Sequence, residues 1–569
     1  MKQIRRRQLA GPIGAWSDNI PDIIRRIYAA RGVLSEADAE HTVEKLLSTD
    51  SLGGLDKAVN RIIEAIRENQ SIVISGDYDC DGATATAIAV RGLRLLGARR
   101  VTFTIPDRFK HGYGLTEGLI DDLPVKPDLL ITVDSGVASH AGVKHAHDLG
   151  IDVIITDHHL PGETLPAEAV AIVNPNVHGD DFPSKALAGC GVMFYLLIAL
   201  RKALIEQGME ANPIGELLDI VALGTVADLV PLDRNNRILV AAGLSRIRKG
   251  KAHAGIQALI SLTGKDHMRL CAQDFGFAIA PRINAAGRLE DMRIGVEVLL
   301  ADNKDKAEEL VKKLDAINRE RQSIQGEMVA EAEALIAQNE DATYDHFGVV
   351  VYQPTWHAGV VGLVASKLKE SLHRPVFAFA PGEGDDPLLR GSGRSIEGFH
   401  LRDALALIEV RHPGLLPKFG GHAMAAGCSL DRSRLDEFAS AFNQVAMESL
   451  TEDMLEATIV TDGELDAKDI CMEFAEWIQW AGPWGQAFPQ PCFDNVFECL
   501  AWCRLSGDHV KLQLRDPRSG KTFEGIYFRG YREEAFPLRV RVAYEIQMHV
   551  WQQNVSLQLL IKHVETATS

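Results

Sequence analysis

The sequence predicts an α/β protein: a parallel-sheet domain first, a second α/β domain reached through one long helix, and a small β-barrel at the C-terminal end. Three observations carry this. Strand-type runs alternate with helical stretches between residues 71 and 174, one polar stretch keeps helical spacing from Lys304 to Gln338, and short alternating runs follow one another after residue 490. A chain of 569 residues is too long for one hydrophobic core, so about three or four domains are expected. The expected boundaries are a helical cap over residues 1–50, the parallel-sheet domain over 51–300, the connector helix over 301–340, the second α/β domain over 341–455 and the barrel over 456–569.

Composition narrows the function classes. With 46% hydrophobic and 24% charged residues the chain reads as an ordinary globular protein. The basic start Met1 to Arg7 has no apolar core behind it, which disfavours a secretory signal. The longest uncharged run, Ala186 to Leu200, is shorter than the ~20 residues a bilayer span needs, so it reads as a buried helix and the protein as cytoplasmic, without membrane contact. Eight cysteines with no Cys-x-x-Cys pair suggest reduced thiols and no zinc site. A net charge of −18 disfavours nonspecific nucleic-acid binding as a global property, but a local basic channel and a cluster of metal-binding acids are compatible with it.

In chain order, the strand Ser71 to Ser75 breaks into Gly76-Asp77-Tyr78-Asp79-Cys80-Asp81-Gly82 before a helix from Ala83 to Leu96. Aspartates at every second position point the same way in extended chain, and the helix N-terminus that follows favours their charge; an Asp-rich turn with an N-cap is the plainer alternative. Further strands end at Ile105, Asp134, Asp157 and Asn174, with helices over 116–122 and 139–149 between them. In a parallel sheet all C-terminal ends share one edge, where open α/β sheets bind ligands. Asp77, Asp79, Asp81, Asp134, Asp157, His158 and His159 should therefore converge. Asp228, before the Val230-Pro231 turn, is a plausible addition. Carboxylates with neutral imidazole suit Mn²⁺ or Mg²⁺, and a shared aspartate can bridge two ions ~3.5–4 Å apart.

The words Asp77-Tyr78-Asp79-Cys80-Asp81-Gly82, Val133-Asp134-Ser135-Gly136, Asp157-His158-His159 and Gly224-Thr225-Val226-Ala227-Asp228, in that order, resemble the four N-terminal motifs of the DHH phosphoesterase superfamily. Within it, the spacing is most similar to the RecJ single-stranded-DNA exonucleases. The resemblance implies that Asp79 and Asp134, helped by Asp77, hold one ion and that Asp81, Asp134, His158 and Asp228 hold a second. It also implies that His159 faces the scissile phosphate and that Asp157 orients the histidines. One departure stands at Ser75, four residues before Asp79, where related enzymes often carry a histidine.

Other words offer groups for a nucleic acid. Pro106 to Gly114 is a glycine-loosened loop whose Arg108, His111 and Tyr113 can grip phosphate and stack a base; a solvated βα loop is the alternative. Arg282 and Arg288 flank what reads as a small-residue turn. After the connector, Arg390-Gly391-Ser392-Gly393-Arg394 and Gly420-Gly421-His422 place glycine beside Ser392, Arg394 and His422, candidate phosphate binders in words that resemble the DHHA1 substrate-binding domain. The C-terminal runs have the length and rhythm of an OB-fold, which the resemblance also implies. Residues 500–562 hold ten Lys/Arg against six Asp/Glu, and Trp502, Tyr527, Phe528, Tyr531 and Trp551 offer stacking faces.

These readings point to metal-assisted hydrolysis of a phosphodiester; neither a serine nucleophile nor a Gly-x-x-x-x-Gly-Lys loop is apparent. By resemblance the substrate is single-stranded DNA, degraded from its 5′ end to mononucleotides in recombination and repair by a monomer. Arg394, Ser392 and Arg282 would read the terminal phosphate, and a single-strand-binding protein and a RecQ-type helicase would be partners. A short-oligonucleotide or bisphosphate phosphatase, and a non-catalytic single-strand-binding scaffold, are the competing classes. The barrel and long connector speak against the first, and the intact acids against the second.

Overall fold

A computed structural model describes residues 3–107, 110–338, 347–382, 387–551 and 554–567. Arg108 and the side chain of Trp551 lie outside the described residues. The chain divides into two compact units, one formed by residues 4–315 with 459–569 and the other built on 316–458. The helix Lys304–Gln338 carries the chain from one to the other. No helix among the described residues is long and apolar enough to cross a membrane.

The first unit contains a parallel sheet of β1 (Ile72–Ser75), β2 (Val101–Thr104), β3 (Leu129–Val133), β4 (Asp152–Thr156) and β5 (Ala171–Val173), in the order β2-β1-β3-β4-β5. β1 and β3 are buried along their whole length, which explains their unbroken apolar sequence. The helices Cys80–Leu95 and Gly189–Glu206 pack together and are buried over most of their lengths, so the run read as a buried helix is one.

The same unit ends in a closed barrel of β11 (Phe493–Arg504), β12 (Val510–Arg515), β13 (Thr522–Tyr527), β14 (Arg539–Trp551) and β15 (Asn554–Thr566), numbered after the five strands of the other unit. Its order is β11-β12-β13-β15-β14, with β13 and β15 parallel. Closure removes the sheet edges that an open five-stranded sheet would otherwise expose.

Residues 3–50 differ from the helical cap expected of them. Their longest helix is Asp22–Ala29, and the segment lies against the barrel's approach instead of at the periphery. Arg31 makes a bidentate pair with Asp462, at 2.7 and 2.8 Å, with both side chains almost fully buried. The Tyr28 hydroxyl donates to the carbonyl of Ala481 at 2.8 Å, and its ring stacks on Trp16 and Phe488. One continuous core runs from Ile24 through the sheet domain into barrel residues such as Phe497 and Tyr544. Segments distant in sequence are thereby one packed body.

The second unit holds a mixed sheet of β6 (Val349–Tyr352), β7 (Val376–Ala380), β8 (Leu388–Arg394), β9 (Lys418–Gly421) and β10 (Ala425–Asp431), in the order β9-β10-β8-β7-β6. Its core is aromatic, with Phe377, Phe379, Phe438 and Phe442 packed edge to face and stacked.

Candidate active site

Strand register builds the site. Ser75 pairs with Thr132 and Val133 with Thr156, so β1, β3 and β4 end level, and Asp77, Asp134 and Asp157 follow along one edge. Strand order reverses at β1, whose neighbours are β2 and β3, and a cleft at this position is where such sheets take ligands. Asp134 adopts a left-handed backbone, φ 59°, a conformation that Asp tolerates better than most residues.

Each acid is then held by a different local device. Asp79 caps the helix Cys80–Leu95 through Oδ1, which accepts the N–H of Gly82 at 2.9 Å, so the cap and the ligand reading are both available to one carboxylate. Asp81 accepts the N–H groups of Gly189 and Cys190 at 2.6 and 3.0 Å, at the positive end of the helix Gly189–Glu206. A Cβ on Gly189 would stand 2.5 Å from that of Asp134, so only glycine leaves the carboxylate room. Asp228 follows the helix Leu218–Ala227.

Ligand atoms of Asp77, Asp79 and Asp134 lie within 4.8 Å of one another, as do those of Asp81, His158 and Asp228, and a third set joins Asp134, His158 and His159. Burial, then the charges of Asp81 and Asp79, push the carboxyls of Asp134 and Asp228 well above the usual range. Asp79 is raised by burial and by Asp81. Burial lowers His158, favouring the neutral imidazole that binds metals. Asp134 Oδ1 and His158 Nε2 are buried with no hydrogen-bond partner although they stand 3.1 Å apart. Buried polar atoms are rarely left so, and a divalent cation would satisfy both while neutralising the carboxylates. The residues fit such an ion. Ser75 Oγ, at the end of β1, is likewise buried without a partner.

His159 is set apart from its neighbour. Its Nδ1 meets Asp157 Oδ1 at 2.7 Å, and the same oxygen accepts the backbone N–H groups of His158 and His159. Burial opposes the imidazolium, but the bond and charge of Asp157 outweigh it and raise His159 above its ordinary value. Asp157 stays below the usual carboxyl range; burial works against this, and the bonds from His159 and Val137 prevail. Asp157 therefore orients His159 alone among the two ring side chains. The Tyr113 hydroxyl lies 3.4 Å from His159 Nε2 and stays protonated, its ionisation opposed by burial and by Asp77 and Asp134.

Other expected binding residues fare unequally. His111 spends its ring nitrogens on Asp122, at the end of the helix Glu117–Asp121, through Nε2 at 2.7 Å and on the Asp107 N–H through Nδ1, so it braces the loop that carries Tyr113 instead of offering a donor to phosphate. Arg282 and Arg288 do not flank a turn: Ala280–Leu289 is a helix. Small residues suit close packing there as well as turning, and a Cβ on Gly287 would lie 1.9 Å from the carbonyl of Tyr78. Arg282 is tied to Asp315 at 2.9 Å, and Arg288 sits in the helix's last turn. In the other unit, Ser392 and Arg394 lie on β8, with Arg394 Nη1 donating to Ser392 Oγ at 3.1 Å. The glycines on either side of Ser392 serve the core: a Cβ on Gly391 or Gly393 would strike Phe379 or Phe377. His422 lies between β9 and β10, its N–H donating to the carbonyl of Ala425.

Sequence reading missed the residues that hold the motifs in place. Asn284 Oδ1 accepts the Cys80 N–H at 2.8 Å, while Asn174 and Asn176 donate to the carbonyls of His159 and His158. The asparagine within Pro281 to Gly287 was the available signal.

Residues 71–225 match the DHH family, N-terminal domain, residues 345–448 the DHHA1 domain and residues 461–563 the RecJ OB domain. The single-stranded-DNA-specific exonuclease RecJ of Salmonella typhimurium is 45% identical over 580 residues, which cover 99% of each chain. A crystal structure of RecJ from Thermus thermophilus in complex with Mn²⁺ matches with a TM-score of 0.80 at 30% identity, covering 96% of this chain and 76% of that one. The same protein in complex with Mg²⁺ matches at 0.75 and 28% identity, covering 97% and 75%. With these three domain matches and near-half identity along the whole length, this chain belongs to the RecJ family.

Proposed function

We propose that this protein is a divalent-metal-dependent exonuclease that hydrolyses single-stranded DNA from its 5′ end to mononucleotides. The observation that supports the reading most directly is the pair of partnerless buried atoms, Asp134 Oδ1 and His158 Nε2, within a cluster of carboxylates. Asp77, Asp79 and Asp134 would hold one ion and Asp81, Asp134, His158 and Asp228 a second, with Asp134 shared. Bound there, Mn²⁺ or Mg²⁺ would supply Lewis-acid polarisation of the phosphodiester and a water of lowered pKa. Hydrolysis would join the water oxygen to phosphorus and pass its proton to the departing 3′ oxygen, leaving a 5′ phosphate on the shortened strand.

The chain's own groups do the positioning. His159, held by Asp157 and favoured as imidazolium, can donate Nε2–H to a phosphate oxygen, and the Tyr113 hydroxyl beside it can donate a second bond. Ser392 and Arg394 would take the strand's terminal phosphate. Arg394 has no carboxylate partner among the described residues, and burial disfavours its charge, so an anion there would relieve an uncompensated cation. The barrel would add a second grip on the strand, and a single-strand-binding protein and a RecQ-type helicase would deliver it.

Digestion of 3′-labelled single-stranded DNA beside a matching blunt duplex, in Mn²⁺, Mg²⁺ and EDTA, tests this. Shortened labelled fragments from the single strand alone, and only with metal, are expected. Asp134→Ala should abolish them while leaving strand binding largely intact, and retained turnover in that variant would overturn the metal assignment.

A further inference from the structure

Between residues 51 and 315, the most exposed large apolar side chains among the described residues are Phe277, Leu229 and Leu160, at 85, 69 and 68%. All belong to the neighbourhood of the carboxylate cluster. Leu160 directly follows His159, and Leu229 directly follows Asp228, whose Oδ2 is 3.6 Å from His158 Nε2. Phe277 lies in a π-turn, Phe275–Ile279, whose Gly276 packs towards Val226, two residues before Asp228. The helix Ala280–Leu289 that continues from it braces the Asp79 loop through Asn284.

Two features mark these positions as more than incidental exposure. Leu229 holds φ at 60°, a left-handed conformation that a leucine adopts only against a steric cost, and here it carries an aliphatic side chain out into solvent. The π-turn is a distortion that recurs at functional sites, and it presents an almost fully exposed aromatic ring. Leu229 ends the helix Leu218–Ala227 ahead of Pro231, and the buried Phe275 and Ile279 anchor the π-turn, but the Leu229 and Phe277 side chains themselves stay in solvent, open to something that arrives.

We propose that Leu160, Leu229 and Phe277 form an apolar rim on which the nucleobases flanking the scissile phosphate pack when a strand enters the site. The proposal rests on the exonuclease reading and deepens it. A phosphate drawn to the acidic cluster by its cations brings its own bases to the edge of that cluster, continuous with the rim. Every base has an apolar face, so contact with leucine and phenylalanine grips the strand without reading its sequence. Paired bases, stacked within a duplex, cannot offer those faces.

The test compares a normal single strand with one whose two 5′-terminal nucleotides are abasic, measuring KM and kcat in Mn²⁺ for the wild type, Phe277→Ala and Leu229→Gly. Loss of one base contact is expected to raise KM about tenfold on the normal strand, the lower part of the range for base stacking, and to leave KM on the abasic strand unchanged. Because glycine accepts φ 60°, Leu229→Gly should unfold at the same temperature as the wild type or higher, which a merely structural leucine would not do. Equal KM effects on both strands, or on neither, overturn the rim while the exonuclease reading stands. A wild type that shortens no strand overturns both.

Discussion

The imidazole of His158 and the carboxylate of Asp134 face each other at 3.1 Å, both buried, and no hydrogen bond joins them. Two buried ligand atoms this close, with no hydrogen bond between them, are placed as the ligands of one cation are. Stability should therefore depend on metal and pH together.

In metal-stripped protein, Asp79, Asp134 and Asp228 have carboxyls raised above their unfolded value near 3.8. A raised acid keeps its proton in the folded state after the unfolded chain has lost it, so this contribution is present below that value and is lost as pH rises through the folded-state values. Thermal unfolding without metal should therefore worsen as pH is raised above about 4 through this cluster's titration. Saturating Mn²⁺ should remove the trend. Asp134→Asn, which keeps the shape and tolerates the left-handed backbone, should unfold at a higher temperature than wild type without metal and gain less from added Mn²⁺. It should cleave at least roughly a thousandfold more slowly, the loss of several kcal/mol of transition-state stabilisation.

Asp157 acts through His159. Asp157→Asn removes the charge that favours the imidazolium, so the His159 pKa, followed by NMR titration of the ring, should fall from its raised position. Cleavage should drop by about 10–100-fold, the range for a group that orients another at a metal site. An unchanged His159 titration would sever the proposed link.

Arg394 should distinguish strand ends. Removing a charge-assisted contact to phosphate costs about 1.5–3 kcal/mol, so Arg394→Gln should raise KM roughly 10–100-fold for a 5′-phosphorylated strand and far less for a 5′-hydroxyl strand. Arg394→Lys should rescue only part of this, since an ammonium lacks the planar fork.

Arg31 and Asp462 join the N-terminal segment to the barrel's approach, with side chains 1 and 4% exposed. Breaking a buried pair from one side costs about 3–5 kcal/mol, here partly offset because Arg7 stays 3.7 Å from Asp462 and the Cys492 N–H still donates to it. Arg31→Ala should lower the stability read by denaturant unfolding by about 3 kcal/mol, the lower end of that range, whereas the exposed pair Lys144–Asp148 should contribute little to the same measurement.

Periodicity and residue type were enough to mark the strand runs, the long helix Lys304–Gln338, the barrel rhythm and the residues of the four acidic motifs, because all of these are local properties of the chain. Alternation of strand and helix also implied the shared edge, since parallel strands leave it no other place. Pairs far apart in the chain settled the rest. The N-terminal amides of Gly189 and Cys190 hold Asp81, Asn284 holds the Cys80 N–H, and Gly391 and Gly393 make room for phenylalanine rings. Pro281 to Leu289 carries residues that suit a turn, yet close packing on Tyr78 makes it a helix. Residues 3–50 look peripheral in sequence and are bound into the core through Tyr28 and Arg31. Local propensity names the groups that can do chemistry; long-range contacts, whose partners no sequence window contains, decide which of them meet.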